Sequence, residues 1–107
     1  MNSPVSYEQQ RVHVDGAMTV YTCGELKPRL LEQLTAHPDT TGIDLSRVIE
    51  LDTAGLQLVL MARRHASAAG RELQVINPSR AVSDVLELCR LNAWIASADA
   101  GIAGGAP

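Results

Sequence analysis

The chain has 107 residues and a net charge of −3 at pH 7, which fits one small domain with a single core and excludes two. A hydrophobic share of 46% against 20% charged residues is the composition of a globular domain, not a disordered one. The mild acidity leaves no basic stripe to neutralise phosphates, which argues against direct nucleic-acid binding.

Aromatic residues make up only 3% of the chain and Phe is absent, so the core must be built from Leu, Val, Ile and Ala. No apolar run reaches the length of a transmembrane segment. The first residues lack a cationic-then-apolar signal pattern, so a cytoplasmic location is expected.

Residues 1–9 are polar and are expected to be a flexible N-terminus. Arg11-Val12-His13-Val14 alternates and predicts a strand. Asp15-Gly16 is a hairpin signal, because both central turn positions need positive φ. Ala17 to Val20 would be the returning strand. Thr22 and Glu25 have the spacing of a capping box opening a helix to about Ala36. Cys23, Leu26, Leu30 and Leu34 share one face of it, and Glu25 with Arg29 forms an i,i+4 pair outside. Pro28 removes one helical hydrogen bond and should kink the first turns.

Gly42 to Leu45 reads as a short strand, followed by a polar bend. Asp52-Thr53-Ala54-Gly55 then opens an apolar helix, with Asp and Thr as residues that cap orphan N–H groups. On that helix Gly55, Leu58, Val59, Ala62, Ala66 and Ala69 gather on one side, mostly small, so its backbone should approach the sheet closely. Gln57, Arg63, Arg64 and Ser67 lie opposite. Leu60 and Met61 fall outside the core stripe and predict an apolar island rimmed by Gln57 and Arg64. Gly70 tolerates the left-handed conformation that ends a helix. Leu73 to Ile76 predicts the last strand, and Asn77-Pro78-Ser79 opens a helix burying Val82, Val85, Leu86 and Cys89. Leu91, Trp94 and Ile95 should fold back on the core. Residues 96–107 are Ala, Gly, Ser and Asp-rich and read as a flexible tail.

The element order is β-β-α-β-α-β-α. Helix-linked strands should be parallel with right-handed crossovers, the first strand antiparallel. The fold class is therefore α/β, a small mixed and mostly parallel sheet with helices packed on one face.

Ile43-Asp44-Leu45-Ser46, followed by Leu51-Asp52-Thr53-Ala54-Gly55-Leu56, resembles the signature of the STAS domain, the fold of anti-sigma factor antagonists. The resemblance covers residues 10–95. It implies a partner-binding domain whose Ser or Thr at this corner is phosphorylated by a partner kinase, a GHKL-type serine/threonine kinase that is also the anti-sigma factor. Here the hydroxyl stands at the first motif position, Thr53, and the second is Ala54. Physics agrees with such a modification, because a phosphate at a helix N-terminus meets free N–H groups and the positive end of the dipole. The expected partner surface is Asp52, Thr53, Ala54, Gly55, Gln57, Leu60, Met61 and Arg64. Met18 to Lys27 also resembles STAS proteins linked to chemotaxis and signalling clusters, where the partner is a related signalling kinase. An alternative from another class is an accessory subunit of a lipid-transport ABC transporter, bound to its ATPase.

Catalysis is not expected. The sequence has no Gly-x-Ser-x-Gly elbow, no phosphate-cradling Gly-rich loop and no paired Cys/His set. His13, His37 and His65 lack metal-ligand spacing with each other or with the cysteines, so no metal or cofactor is expected. Cys23 and Cys89 are expected to be reduced thiols packed in the core.

Overall fold

The computed structural model describes residues 3–96. The elements run β1 (Val5–Glu8), β2 (Arg11–Met18), α1 (Cys23–Ala36), β3 (Gly42–Leu51), α2 (Thr53–Ala68), β4 (Gln74–Ile76), α3 (Arg80–Leu88) and a 3-10 turn at Asn92–Trp94. One four-stranded sheet has the order β1-β2-β3-β4. β1 pairs antiparallel with β2, and β2, β3 and β4 are parallel.

Ile43 pairs with Val12 on one side and Val75 on the other, and Val14 pairs with Val5. Successive side chains point to opposite faces of a strand, so these buried residues share one face. Leu26, Leu30 and Leu34 of α1, Leu58, Val59, Ala62 and Ala66 of α2, and Val82 and Leu86 of α3 join the same core. The helices thus cover one face of a mixed, mostly parallel sheet, as the element order implies. Ser6, Arg11, His13 and Gln74 lie on the other face and are exposed or half-buried.

The N-terminal half departs from the sequence reading in detail. Val5–Glu8 is a strand, within a stretch expected to be frayed. Val5 and Tyr7 turn inward, and the Tyr7 ring stacks on His37 while its hydroxyl donates to Asp39. The hairpin turn is Gln9-Gln10, not Asp15-Gly16. Both glutamines have positive φ, 55° and 66°, and Glu8 pairs with Arg11, which is the two-residue primed turn that suits strand twist. Gly16 does take positive φ, 104°, but inside β2, beside a slip in register against β3. That slip is an irregularity of the kind a β-bulge makes, and glycine tolerates it. What read as a returning strand from Ala17 is therefore the end of β2, and Val20 lies beyond it.

β3 runs ten residues to Leu51, so the expected polar bend is strand. Thr22 stands at the N-cap position of α1, but its side chain caps nothing. Its Oγ1 accepts from the Thr19 N–H at 2.9 Å and donates to the Ala17 carbonyl at 2.8 Å. α1 continues unbroken through Pro28. Cys23 is half-buried and Cys89 is exposed, since α3 ends at Leu88 and Cys89 falls outside its buried face.

The second half follows expectation in its elements, although Ala69 as well as Cys89 is exposed and not packed on the core. Gly70 has φ 80° and the Arg71 N–H returns to the Ala66 carbonyl, closing α2 with a left-handed residue. Ser79 caps α3 by accepting from the Val82 N–H. Leu91, Trp94 and Ile95 pack against the core, and the Arg63 guanidinium lies over the Trp94 ring, 5.0 Å from its centroid. Ile95 bridges Val75 in parallel, and the Ala96 N–H donates to the Val75 carbonyl. The remainder of the expected tail, residues 97–107, lies outside the described residues.

Candidate functional site

β2 and β3 end side by side, with Met18 paired to Leu51. Each strand then hands over to a helix, so two loops and two helix starts meet at one end of the sheet. In open α/β sheets this end is where ligands and partners bind.

Asp52 joins the two loops. It is the N-cap of α2, with extended backbone, and its Oδ1 accepts from the Gly55 N–H at 3.0 Å. Its Oδ2 accepts from the Val20 N–H, also at 3.0 Å, across to the loop between β2 and α1. The Gly55 and Val20 N–H groups hold the Asp52 carboxyl below the usual carboxylate range. Thr53 is the first residue of α2 and is exposed. The sequence reading gave Thr53 a share in capping. The structure assigns the cap to Asp52 alone and leaves the Thr53 side chain on the surface.

Gly55 lies beneath this corner, buried. A Cβ there would stand 2.7 Å from Leu51 Cδ1 and 2.8 Å from the Met18 carbonyl carbon, with the Met18 carbonyl oxygen nearer still. Gly55 therefore supports the corner from inside and presents no surface to a partner.

The loop from Thr19 to Thr22 is tied by its own hydroxyls. Thr19 Oγ1 accepts from the Tyr21 N–H, and the Thr22 and Cys23 N–H groups donate to the Thr19 carbonyl. This turn points Val20 and Tyr21 outward, 65% and 94% exposed. Ile49, near the end of β3, is 76% exposed. Val20 and Tyr21 stand beside the capped helix start, and Ile49, next to the core-facing Val48, points to the uncovered face of the sheet. Sequence reading missed all three. The signal was available in part: Val48 and Ile49 are consecutive in a strand, so only one can face the core.

The other expected residues divide between two surfaces of α2. Ala54, Gln57 and Met61 line a groove between α1 and α2 with Cys23, Lys27 and Leu58, a cavity of about 180 Å³. Burial, and then the Asp52 charge, push the Cys23 thiol up, so it stays protonated. At 100° per residue, Thr53, Gln57, Leu60 and Arg64 form an outer ridge. Leu60 is half-buried and Arg64 exposed. Leu60 thus lies on the ridge, and Met61 beside it on the groove side. Met61 also packs against the core.

A second polar cluster lies on the uncovered face of the sheet. Asp44 is 5% exposed, accepts from the Ser46 hydroxyl at 2.6 Å and its N–H at 2.9 Å, and is met by the Asn77 amide at 3.3 Å. Burial pushes its carboxyl up, but Ser46, Asn77 and the facing His13 together bring it below the usual range. The Asp-Leu-Ser part of the motif thus knits the β3 strand to the start of the α3 connection. Among the described residues no His, Cys, Asp and Glu group could hold a metal ion.

Sheet order, one-sided helices and the capped Asp52-Thr53 corner define a STAS-type domain. The chain belongs to the family whose model is described as Mlab, STAS domain, matched over residues 4–97. Solved structures with the same fold include TM1081 of Thermotoga maritima, described as a candidate anti-sigma factor antagonist, with TM-score 0.70, 18% identity, and coverage of 86% of this chain and 81% of that one. Another is the anti-sigma factor antagonist SpoIIAA in its unphosphorylated form, with TM-score 0.64, 20% identity, and coverage of 85% and 83%. No curated protein matches the chain.

Proposed function

We propose that this domain is a non-catalytic protein-binding switch of the anti-sigma factor antagonist kind, read by its partner at the Asp52-Thr53 corner. The observation that carries this is the exposed Thr53 hydroxyl at the start of α2, beside Asp52 and close to the exposed Val20 and Tyr21. The unphosphorylated corner carries only the Asp52 carboxylate, tied to the Gly55 and Val20 N–H groups, and binds. A partner kinase, GHKL-type or a related signalling kinase, transfers the γ-phosphoryl group of ATP to Thr53 Oγ1, releasing ADP and the hydroxyl proton. The added ≈ −1.5 to −2 charge next to Asp52 then expels the partner surface.

The test is affinity for the captured partner by calorimetry, with circular dichroism to confirm folding. Thr53→Ala should change stability by less than about 0.5 kcal/mol, since Asp52 carries the cap, and should keep binding. Thr53→Glu puts like charges side by side, and affinity should fall at least about tenfold. Wild-type affinity in both variants, with no phosphate on Thr53 by mass spectrometry from cells, would remove the switch.

Leu60→Ala separates the ridge from the core. Leu60 is half-buried on the outer flank, so its truncation should cost less than about 1.5 kcal/mol, below the usual 2–5 for a buried leucine. Partner affinity should drop. A loss of several kcal/mol on urea denaturation with unchanged affinity would place Leu60 in the packing and off the partner surface.

The exposed Val20, Tyr21 and Ile49 favour a second reading, because permanent interfaces are the more apolar ones. In it the domain is an accessory subunit of a lipid-transport ABC transporter, held on the ATPase. Recovery of an ABC ATPase instead of a kinase in the pull-down, with Thr53→Glu binding unchanged, would select it.

A further inference from the structure

The groove between α1 and α2 is lined by apolar atoms of Cys23, Ala54, Leu58 and Met61, with Gln57 and Lys27 at its margin. Both helices connect parallel strands, so they run in the same direction, and a third helix can lie along the channel between them. Met61 is the adaptable wall, because an unbranched thioether side chain refits to different shapes. Lys27 stands on the α1 side. Arg64 lies three residues beyond Met61 on α2, on the outer ridge that borders the channel on that side. Among the described residues neither Lys27 nor Arg64 takes part in an ion pair. Arg29, Arg47 and Arg80, by contrast, each stand 3.5–3.8 Å from a carboxylate oxygen of this chain. The groove therefore combines an apolar floor with cations on both sides that have no carboxylate of their own.

We propose that this groove receives an amphipathic helix of the partner protein, one that seats an aliphatic side chain between Cys23 and Met61 and flanks it with Asp or Glu facing Lys27 and Arg64. The proposal rests on the protein-binding switch and names the chemistry of its partner. It also gives that switch a direction. Ala54 follows Thr53 directly and lines the groove. An acidic helix seated there has its carboxylates near the modified corner, so a negative group on Thr53 repels it. A basic helix would be drawn in by the same group.

The probes are two synthetic helices of about 14 residues, close to four turns, each with Leu on one face. One carries Glu on the flanks and the other Lys. Binding to the full chain is followed by two-dimensional NMR, reading the Met61 methyl and the amides of Lys27 and Ala54. The acidic helix should shift these signals and the basic one should not. Lys27→Glu with Arg64→Glu, both on exposed positions, should weaken the acidic helix at least about tenfold and turn preference toward the basic one. The spectrum of the variant itself reports that it is folded. Equal binding of both helices, shifts centred elsewhere, or no shift up to about 1 mM peptide would overturn the proposal. If the acidic helix binds the groove but Thr53→Glu leaves the natural partner's affinity unchanged, the groove stands and the switch falls. If Thr53→Glu acts and the peptide shifts lie elsewhere, the switch stands and the groove falls.

Discussion

Gly55→Ala should destabilise the domain by at least about 3 kcal/mol, and Gly55→Val should leave it largely unfolded at room temperature. The added Cβ meets the Met18 carbonyl group and Leu51 Cδ1 at distances below 3 Å. The Met18 carbonyl is backbone at the end of β2, and it also accepts from the Asp52 N–H at 3.3 Å. It cannot turn aside as a flexible side chain would. The helix start must lift away from the sheet, which loosens the Asp52 cap and uncovers Leu58 and Val59 together. A small domain has roughly 5–15 kcal/mol of stability in all, so a loss of this size is decisive. Urea denaturation checks it, with Gly24→Ala as the control, since a Cβ at Gly24 meets nothing within 4 Å. Similar midpoints for the two variants would show that α2 has room to shift.

From α1 onward the order of elements was legible because it rests on periodicity, and periodicity reports which side of an element is buried. Leu26, Leu30 and Leu34 recur at helical spacing, and the core takes all three. The small residues Gly55, Ala62 and Ala66 announced the close approach of α2, and the buried Gly55 bears it out. Turn placement was less legible. Gly16 was read correctly as a positive-φ position, yet the conformation serves an irregularity within β2. The true turn, Gln9-Gln10, carries no glycine or asparagine, and its positive φ values are held by the pairing of β1 with β2. The local signal and the tertiary demand pointed to different places, and pairing prevailed.

For the site, the part that depends on backbone chemistry was visible. An Asp followed three residues later by a buried Gly is a capped, close-packed helix start whatever surrounds it. Exposure was not visible. Val20-Tyr21 directly after a strand looks like more strand, and only the hydroxyl-tied turn at Thr19 to Thr22 shows that both side chains leave the core. The reach of Asp52 to Val20, 32 residues away, is likewise a property of the folded sheet.

That reach has a testable consequence, and it separates Asp52 as a cap from Asp52 as a tie between loops. Asp52→Ala removes both acceptors, so the melting temperature should fall the most. Asp52→Asn keeps one oxygen for the Gly55 N–H, and Asn is a good N-cap. Its amide nitrogen then faces the Val20 N–H, donor against donor, and the tie to the loop is lost. The fall in melting temperature should be intermediate, while amide exchange at Val20 and Tyr21 rises as fast as in Asp52→Ala. Partner affinity should follow the loop and not the melting temperature, because Val20 and Tyr21 are the exposed apolar groups. The pH dependence has a fixed sign. The folded carboxyl titrates below its unfolded value of about 3.9. Its contribution is therefore complete above that value and is lost as pH falls through the lower folded pKa. At pH 7 the wild type should exceed Asp52→Asn in stability, and below the folded pKa the gap should close. If Val20 exchange in Asp52→Asn matches the wild type, the 3.0 Å contact does not hold the loop, and the hydroxyls of Thr19 and Thr22 fix it by themselves.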